Sequence, residues 1–177
     1  MFKRFYYQSE IENKNIIMTH PKWQIKPDTI GDFGCLLIAK LNAYNCMFSQ
    51  DKKVKELNDE IIANRGYEYL RQCEVWRVES GVNYEQVKKA CFGKESFLVS
   101  EVINKLLKIE SEERNYTGMI NIQSPIDFFL IRTKYLNTGH YSLIVNRDMK
   151  YFDSYNGVMK TPEKQNILEV IRIRFGG

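Results

Sequence analysis

Histidine is nearly missing from this chain, cysteine is sparse, and neither is spaced to hold a metal. The two histidines, His20 and His140, stand far apart, and the four cysteines, Cys35, Cys46, Cys73 and Cys91, include no Cys-x-x-Cys pair. That spacing argues against a structural zinc site, and no metal or other cofactor is implied. Disulfides are not needed either, because 177 residues with 44% apolar composition suffice for a core in one domain. If Cys35 and Cys46 share a helix, a rise of about 1.5 Å per residue holds them too far apart to bond. Free thiols in a reducing compartment are the simpler reading. No apolar run approaches the ~20 residues that cross a bilayer, so a membrane is not an expected partner. The opening Met1-Phe2-Lys3-Arg4-Phe5-Tyr6-Tyr7-Gln8 carries charge with no apolar stretch behind it. It does not read as a signal peptide, and a cytoplasmic location is expected. Charge of one sign is not segregated. The net charge is +4, but Lys52-Lys53 precede Glu56, Lys88-Lys89 follow Glu85, and Lys105 and Lys108 precede Glu110. With no isolated basic block, nucleic acid is not an expected partner.

What the chain has is punctuation and period. Pro21 and Pro27 mark residues 1 to about 28 as irregular or extended. The spacing of Leu37, Leu41 and Tyr44, with Ile38 beside them, predicts a helix from about Phe33 to Phe48. Ser49 or Asp51 caps a second helix, with a stripe of Val54, Leu57 and Ile61 and a stop at Gly66. A third is predicted from Asn83 to Phe92, ended by Gly93. A fourth carries Val99, Val102, Ile103, Leu106 and Leu107 and begins at or just before Ser100. The pattern then changes. Gly118–Gln123 and Ile126–Thr133 read as strands, and His140–Asn146 with Lys150–Asp153 as a hairpin turning at Arg147-Asp148. The second half of Ile167–Phe175 alternates as a half-buried strand does. Glu110–Arg114 reads as a charged connector. Helices followed by strands predict an α+β fold, with N-terminal helices packed on a largely antiparallel C-terminal sheet. The chain reads as one domain over residues 1–177, with 1–19 as a lead-in segment.

The residues that carry chemistry are Cys35, His140 and Asp153. Cys35 ends the run Thr29-Ile30-Gly31-Asp32-Phe33-Gly34-Cys35, just where an apolar helical pattern starts. That puts a thiol at a helix N-terminus, where the macrodipole favours an anion. Gly139-His140-Tyr141-Ser142 sets a histidine at the head of an apolar run, and Tyr151-Phe152-Asp153 sets a carboxylate on the next. Cysteine, histidine and acid in that order are the parts of a papain-type site. Each residue also has a plainer reading. Cys35 alone is a small core residue, His140 alone a satisfied core histidine, and Asp153 beside Asn156-Gly157 a turn former. Tyr135, Tyr141, Tyr151 and Tyr155 either line a groove or pack on the sheet.

Over residues 20 to about 157 these segments, with Val54-Lys55-Glu56-Leu57-Asn58, resemble the papain-like peptidases related to the double-glycine (bacteriocin-processing) peptidases, found in bacteriophages and bacteria. The resemblance implies a papain-like fold with Cys35 as nucleophile, His140 as general base and Asp153 orienting the imidazole. Asn156 is the rival orienting residue. The family usually carries an upstream glutamine that helps bind the oxyanion. Met18 stands where that glutamine is expected, and Gln24 is the nearby substitute. The implied function is a thiol hydrolase cleaving a peptide or amide bond, with a peptide or the cell-wall stem peptide as substrate. The alternative is a phage virion component that keeps the fold without turnover, with other virion proteins as partners and the phage particle as its location.

Overall fold

The computed structural model describes residues 4–18, 28–68, 81, 83, 86, 98–114, 127–135, 138–145 and 149–176. Among the described residues four helices come first: α1 (Ile30–Phe33), α2 (Cys35–Phe48), α3 (Val54–Ala63) and α4 (Ser100–Leu107). Six strands follow: β1 (Ile109–Arg114), β2 (Phe128–Tyr135), β3 (Thr138–Ile144), β4 (Tyr151–Phe152), β5 (Met159–Lys160) and β6 (Ile167–Phe175). They form one sheet in the order β1-β6-β2-β3-β4-β5, and every pairing is antiparallel. The expected α+β arrangement is therefore present. The predicted helix at Asn83–Phe92, the strand at Gly118–Gln123 and the turn at Arg147-Asp148 lie largely or wholly outside the described residues. Among the described residues no helix is long and apolar enough to cross a membrane.

Alternation along the strands divides the sheet's apolar residues between two clusters. Leu130, Leu143, Ile171 and Ile173 join the main core with Leu37, Ile38 and Leu41 of α2, Leu57 and Ile61 of α3, and Ile103 and Leu107 of α4. Phe129, Ile131, Ile144, Tyr151 and Val170 form a second cluster. Helix α2 differs from its expected single stripe. Eight of its residues are buried, including Ala39, Lys40, Asn42 and Asn45 between the apolar positions. Burial on every side makes it the central element of the helical layer.

Its buried asparagines hold loops. Asn42 exchanges both hydrogen bonds with the backbone of Tyr6, at 2.9 Å each. Asn45 does the same with Lys52, at 3.0 Å each. On α3, Asn58 donates to Ile17 O and accepts from the Tyr67 hydroxyl. Buried amides satisfied in this way fix irregular chain that has no ladder of its own.

Glu110–Arg114 is strand rather than connector. Its composition is poor for a strand, but register sets Glu110 opposite Arg174 and Glu112 opposite Arg172. Arg174 Nε reaches Glu110 at 2.7 Å. Opposite charges across strands favour the pairing, and their partners lie far downstream, where local pattern does not register them. The helix after Ser49 ends at Ala63, and Gly66 belongs to its stop: Arg65 N donates to Ile62 O at 3.1 Å and Gly66 N to Ile61 O at 2.8 Å. Gly66 also packs closely, since a Cβ there would meet Ile61 Cγ2 at 2.6 Å.

Lys40 is the outlier of the core. It is 1% exposed, and its ammonium donates to Asn104 Oδ1 at 2.8 Å. Burial pushes it down from 10.5 to about 8. A lysine lowered by folding leaves the unfolded chain holding more protons between those two values, so stability rises with pH across that window. Lys40→Met is expected to raise the melting temperature at pH 7, because a buried charge is replaced by apolar volume. It is also expected to abolish the rise between about pH 8 and 10.5. Thermal melts of both proteins across that range check this; parallel curves would show that folding does not shift the titration of Lys40.

Candidate functional site

Cys35 is the first residue of α2, and the chain reaches it through a close-packed approach. Gly31 N donates to Lys14 O at 3.1 Å, and a Cβ on Gly31 would meet that oxygen at 2.8 Å. A Cβ on Gly34 would meet Ile30 O at 2.6 Å. Neither position admits a side chain unless backbone moves. The expected single helix from Phe33 is consequently two: α1 ends at Phe33, the chain breaks at Gly34, and α2 restarts at Cys35. The sulfur stands at the positive end of a 14-residue helix.

His140 lies in β3, opposite Thr133 of β2. Its Nε2 is 2.9 Å from Oδ1 of Asp153, and the ring hydrogen-bonds with Cys35 as well. With Nε2 committed to Asp153, Nδ1 is the nitrogen left for the sulfur. Asp153 follows directly on β4. Its Oδ1 also accepts from Tyr155 N at 2.8 Å, and Gly157 N returns to Asp153 O at 2.9 Å. Turn former and histidine partner are therefore one role, not two: the turn aims the carboxylate. Gly157 closes that turn at φ +73°, a conformation that favours glycine.

Lys160 reaches the same carboxylate from β5 and bonds its other oxygen, Oδ2. Burial alone would raise the Asp153 carboxyl. Hydrogen bonds from His140, Lys160 and Tyr155 N outweigh it and hold the group well below the usual carboxylate range. Burial alone would lower His140. Its hydrogen bonds to Asp153 and Cys35, and their charge, outweigh burial and push the imidazole up to about 9. Burial also raises Cys46, the other described cysteine, to about 11.

The structure brings Cys35, His140 and Asp153 together and sets the remaining candidates elsewhere. Asn156 is exposed on the turn, and its Oδ1 accepts from Val158 N at 3.3 Å. Asp153, not Asn156, takes the imidazole, because the turn points the amide back to its own backbone. Gln24 lies outside the described residues. Met18 is 1% exposed, packed in the main core with Ile30 and Leu57. A glutamine there would bury an amide among apolar groups. Of the tyrosines, Tyr151 packs in the second cluster and Tyr155 is exposed on the turn. Tyr141 packs on the main core and donates to Glu169 at 3.3 Å. The side chain of Tyr135 is outside the described residues.

Two residues of the site were not legible in advance, Lys160 and Gln8. Gln8 is 2% exposed, and its Nε2 donates to Ile30 O at 2.8 Å and more weakly to Gly31 O at 3.4 Å. Its backbone N donates to Ser154 O at 2.7 Å, and Ser9 N to Tyr155 O at 2.9 Å. With Tyr6 tied to Asn42, residues 6–9 form a strap from α2 to the turn of Asp153. The lead-in segment is thus part of the site. Its only signal was a glutamine closing an aromatic run, Phe5-Tyr6-Tyr7-Gln8.

Among the described residues no group of three His, Cys, Asp or Glu side chains is placed to hold a metal. Comparison of the chain with protein-family models, with curated proteins and with solved structures found no match.

The charge pair has a pH signature. His140, raised from 6.5 to about 9, contributes stability that is complete below 6.5 and lost as pH rises through 9. Asp153, depressed from 3.8, contributes above 3.8 and loses it as pH falls further. The melting-temperature difference between wild type and His140→Gln is expected to peak between those limits, 3.8 and 6.5, and to shrink by about pH 9. A difference that stays constant over this range would mean that the ring carries no proton shared with Asp153.

Proposed function

We propose that the protein is a thiol hydrolase of papain-like type that cleaves a peptide or amide bond. The observation that carries this reading is the unbroken chain of contacts from Cys35, at the start of α2, through His140 to the buried Asp153. The order of the three residues and their flanking segments support it. The resemblance to phage and bacterial domains makes the cell-wall stem peptide the first substrate to try.

The imidazole holds its proton up to about pH 9, so His140 enters the cycle as imidazolium beside the sulfur. The Cys35 thiolate attacks the carbonyl carbon, and the carbonyl oxygen takes the negative charge. His140 gives its proton to the leaving nitrogen, and the C–N bond breaks to leave a thioester. Water then attacks, the neutral ring takes its proton, and the acid departs. The sulfur is again paired with an imidazolium. His140 therefore acts first as acid and then as base. Asp153 holds the ring and favours its charged form throughout.

The oxyanion needs donors. The backbone N–H of Cys35, at the unpaired helix start, is one. Gln8 is the second: its amide sits under the loop that leads to Cys35, and the 3.4 Å contact to Gly31 O leaves one hydrogen weakly held.

Cys35→Ala is expected to abolish cleavage while changing stability by only about 1 kcal/mol. His140→Ala is expected to abolish cleavage as fully, since the pair acts as a unit in catalysis, but to cost more stability because it removes a partner of the buried Asp153. Gln8→Ala is expected to lower turnover about 10²–10³-fold, with a smaller change in KM. Assays on peptides and on cell-wall stem peptides check all three. Cleavage that survives Cys35→Ala would sink the mechanism. A wild type that cleaves nothing in the panel would favour the virion-protein reading.

A further inference from the structure

We propose that Lys160 is a positioning residue of this site: its ammonium neutralises Asp153 from the side opposite His140 and so sets how tightly the ring keeps its proton. The inference rests on reading Cys35, His140 and Asp153 as a thiol-hydrolase site, and goes beyond it in adding a fourth member from a separate strand.

The placement is fixed by backbone. β5 pairs with β4 so that Lys160 stands opposite Tyr151, two residues before Asp153. The Lys160 side chain is 40% exposed, while the Asp153 side chain it contacts is only 5% exposed. The two carboxylate oxygens divide their donors. Oδ1 takes His140 Nε2 and Tyr155 N; Oδ2 takes Lys160 Nζ. Removing the lysine therefore leaves the Oδ1 geometry intact, and what changes is charge.

The charged and titratable groups around the pair can be named by element. Cys35 faces the ring from α2, Asp153 follows β4, and Lys160 comes from β5. Tyr151 of β4 lies near Lys160 and Asp153, and Tyr141 of β3 lies near Cys35, with Glu169 and Arg132 behind it. Asp153 and Lys160 carry opposite charges in contact and cancel. Without Lys160 the site holds one surplus negative charge. That charge grips the imidazolium, and an imidazolium gripped too tightly is a poor acid for the leaving amine. Lys160 keeps the proton available.

The test reads the ring directly and needs no substrate, so it stands or falls apart from any cleavage assay. The chain has two histidines, and His20→Gln leaves His140 as the one imidazole signal. Its titration is followed by NMR of the ring Cε1 in that background, with and without Lys160→Met. The expected result is an upward shift of about 0.5–1 pH unit in the apparent midpoint. Lys160→Arg, which keeps the charge, is expected to stay within about 0.3 unit of the parent. Lys160→Gln keeps a polar contact without the charge; it should shift like the methionine variant, and it serves if methionine costs too much stability. An unchanged or lowered midpoint in the uncharged variants overturns the proposal. So does an arginine variant that shifts as far as they do.

Discussion

A carboxylate removed from water must be neutralised where it stands, at a cost of several kcal/mol if it is not. Asp153 is that group here, and the site is arranged around its compensation. One oxygen takes an imidazole and a backbone N–H, and the other takes an ammonium. Each donor arrives from a different piece of chain: β3, the turn after β4, and β5. Their convergence fixes the ring plane of His140, and with it the nitrogen that is left for Cys35. The strand β4 buries only Tyr151 and Phe152, and β5 buries little. Their worth lies in delivering Asp153 and Lys160 to one point.

The other half of the site is held by amides. Helix α2 carries the sulfur at its first residue and, further along, Asn42 and Asn45, which fasten Tyr6 and Lys52. The strap that begins at Tyr6 then pairs with Ser154 and Tyr155, beside Asp153. Cys35 and Asp153 are thus tied through a third segment as well as through His140. A buried side-chain amide suits this work because it has one donor group and one acceptor, as does the peptide it holds. Replacing Asn42 would leave both backbone groups of Tyr6 unpaired inside the protein.

The sequence was legible wherever the deciding interactions were local. The apolar spacing in α2, α3 and α4 marks a helix by itself, and so do the glycines before Cys35. Cys35, His140 and Asp153 each sit in a short segment with its own pattern. What escaped was settled at a distance. Strand β1 looks like a solvated connector until Arg172 and Arg174 of β6 are set against Glu112 and Glu110. Met18 stands where the family's glutamine is expected, and only the fold shows that this position is buried in the main core. Gln8 and Lys160 have nothing beside them in sequence to mark them, since each is defined by a partner reached only after folding: a carbonyl at Ile30 and a carboxylate at Asp153.

The strand order carries a consequence for how the protein comes into being. β6 is the last of the described strands yet lies inside the sheet, between β1 and β2. A ribosome working at about 5–20 residues per second releases Cys35 well before β6. Until β6 arrives, β1 has no partner, and the helices lack Ile171 and Ile173 beneath them. Long-range closure of this kind makes folding a late, single event rather than a progressive one. The thiol accordingly spends most of synthesis without a fixed imidazole beside it.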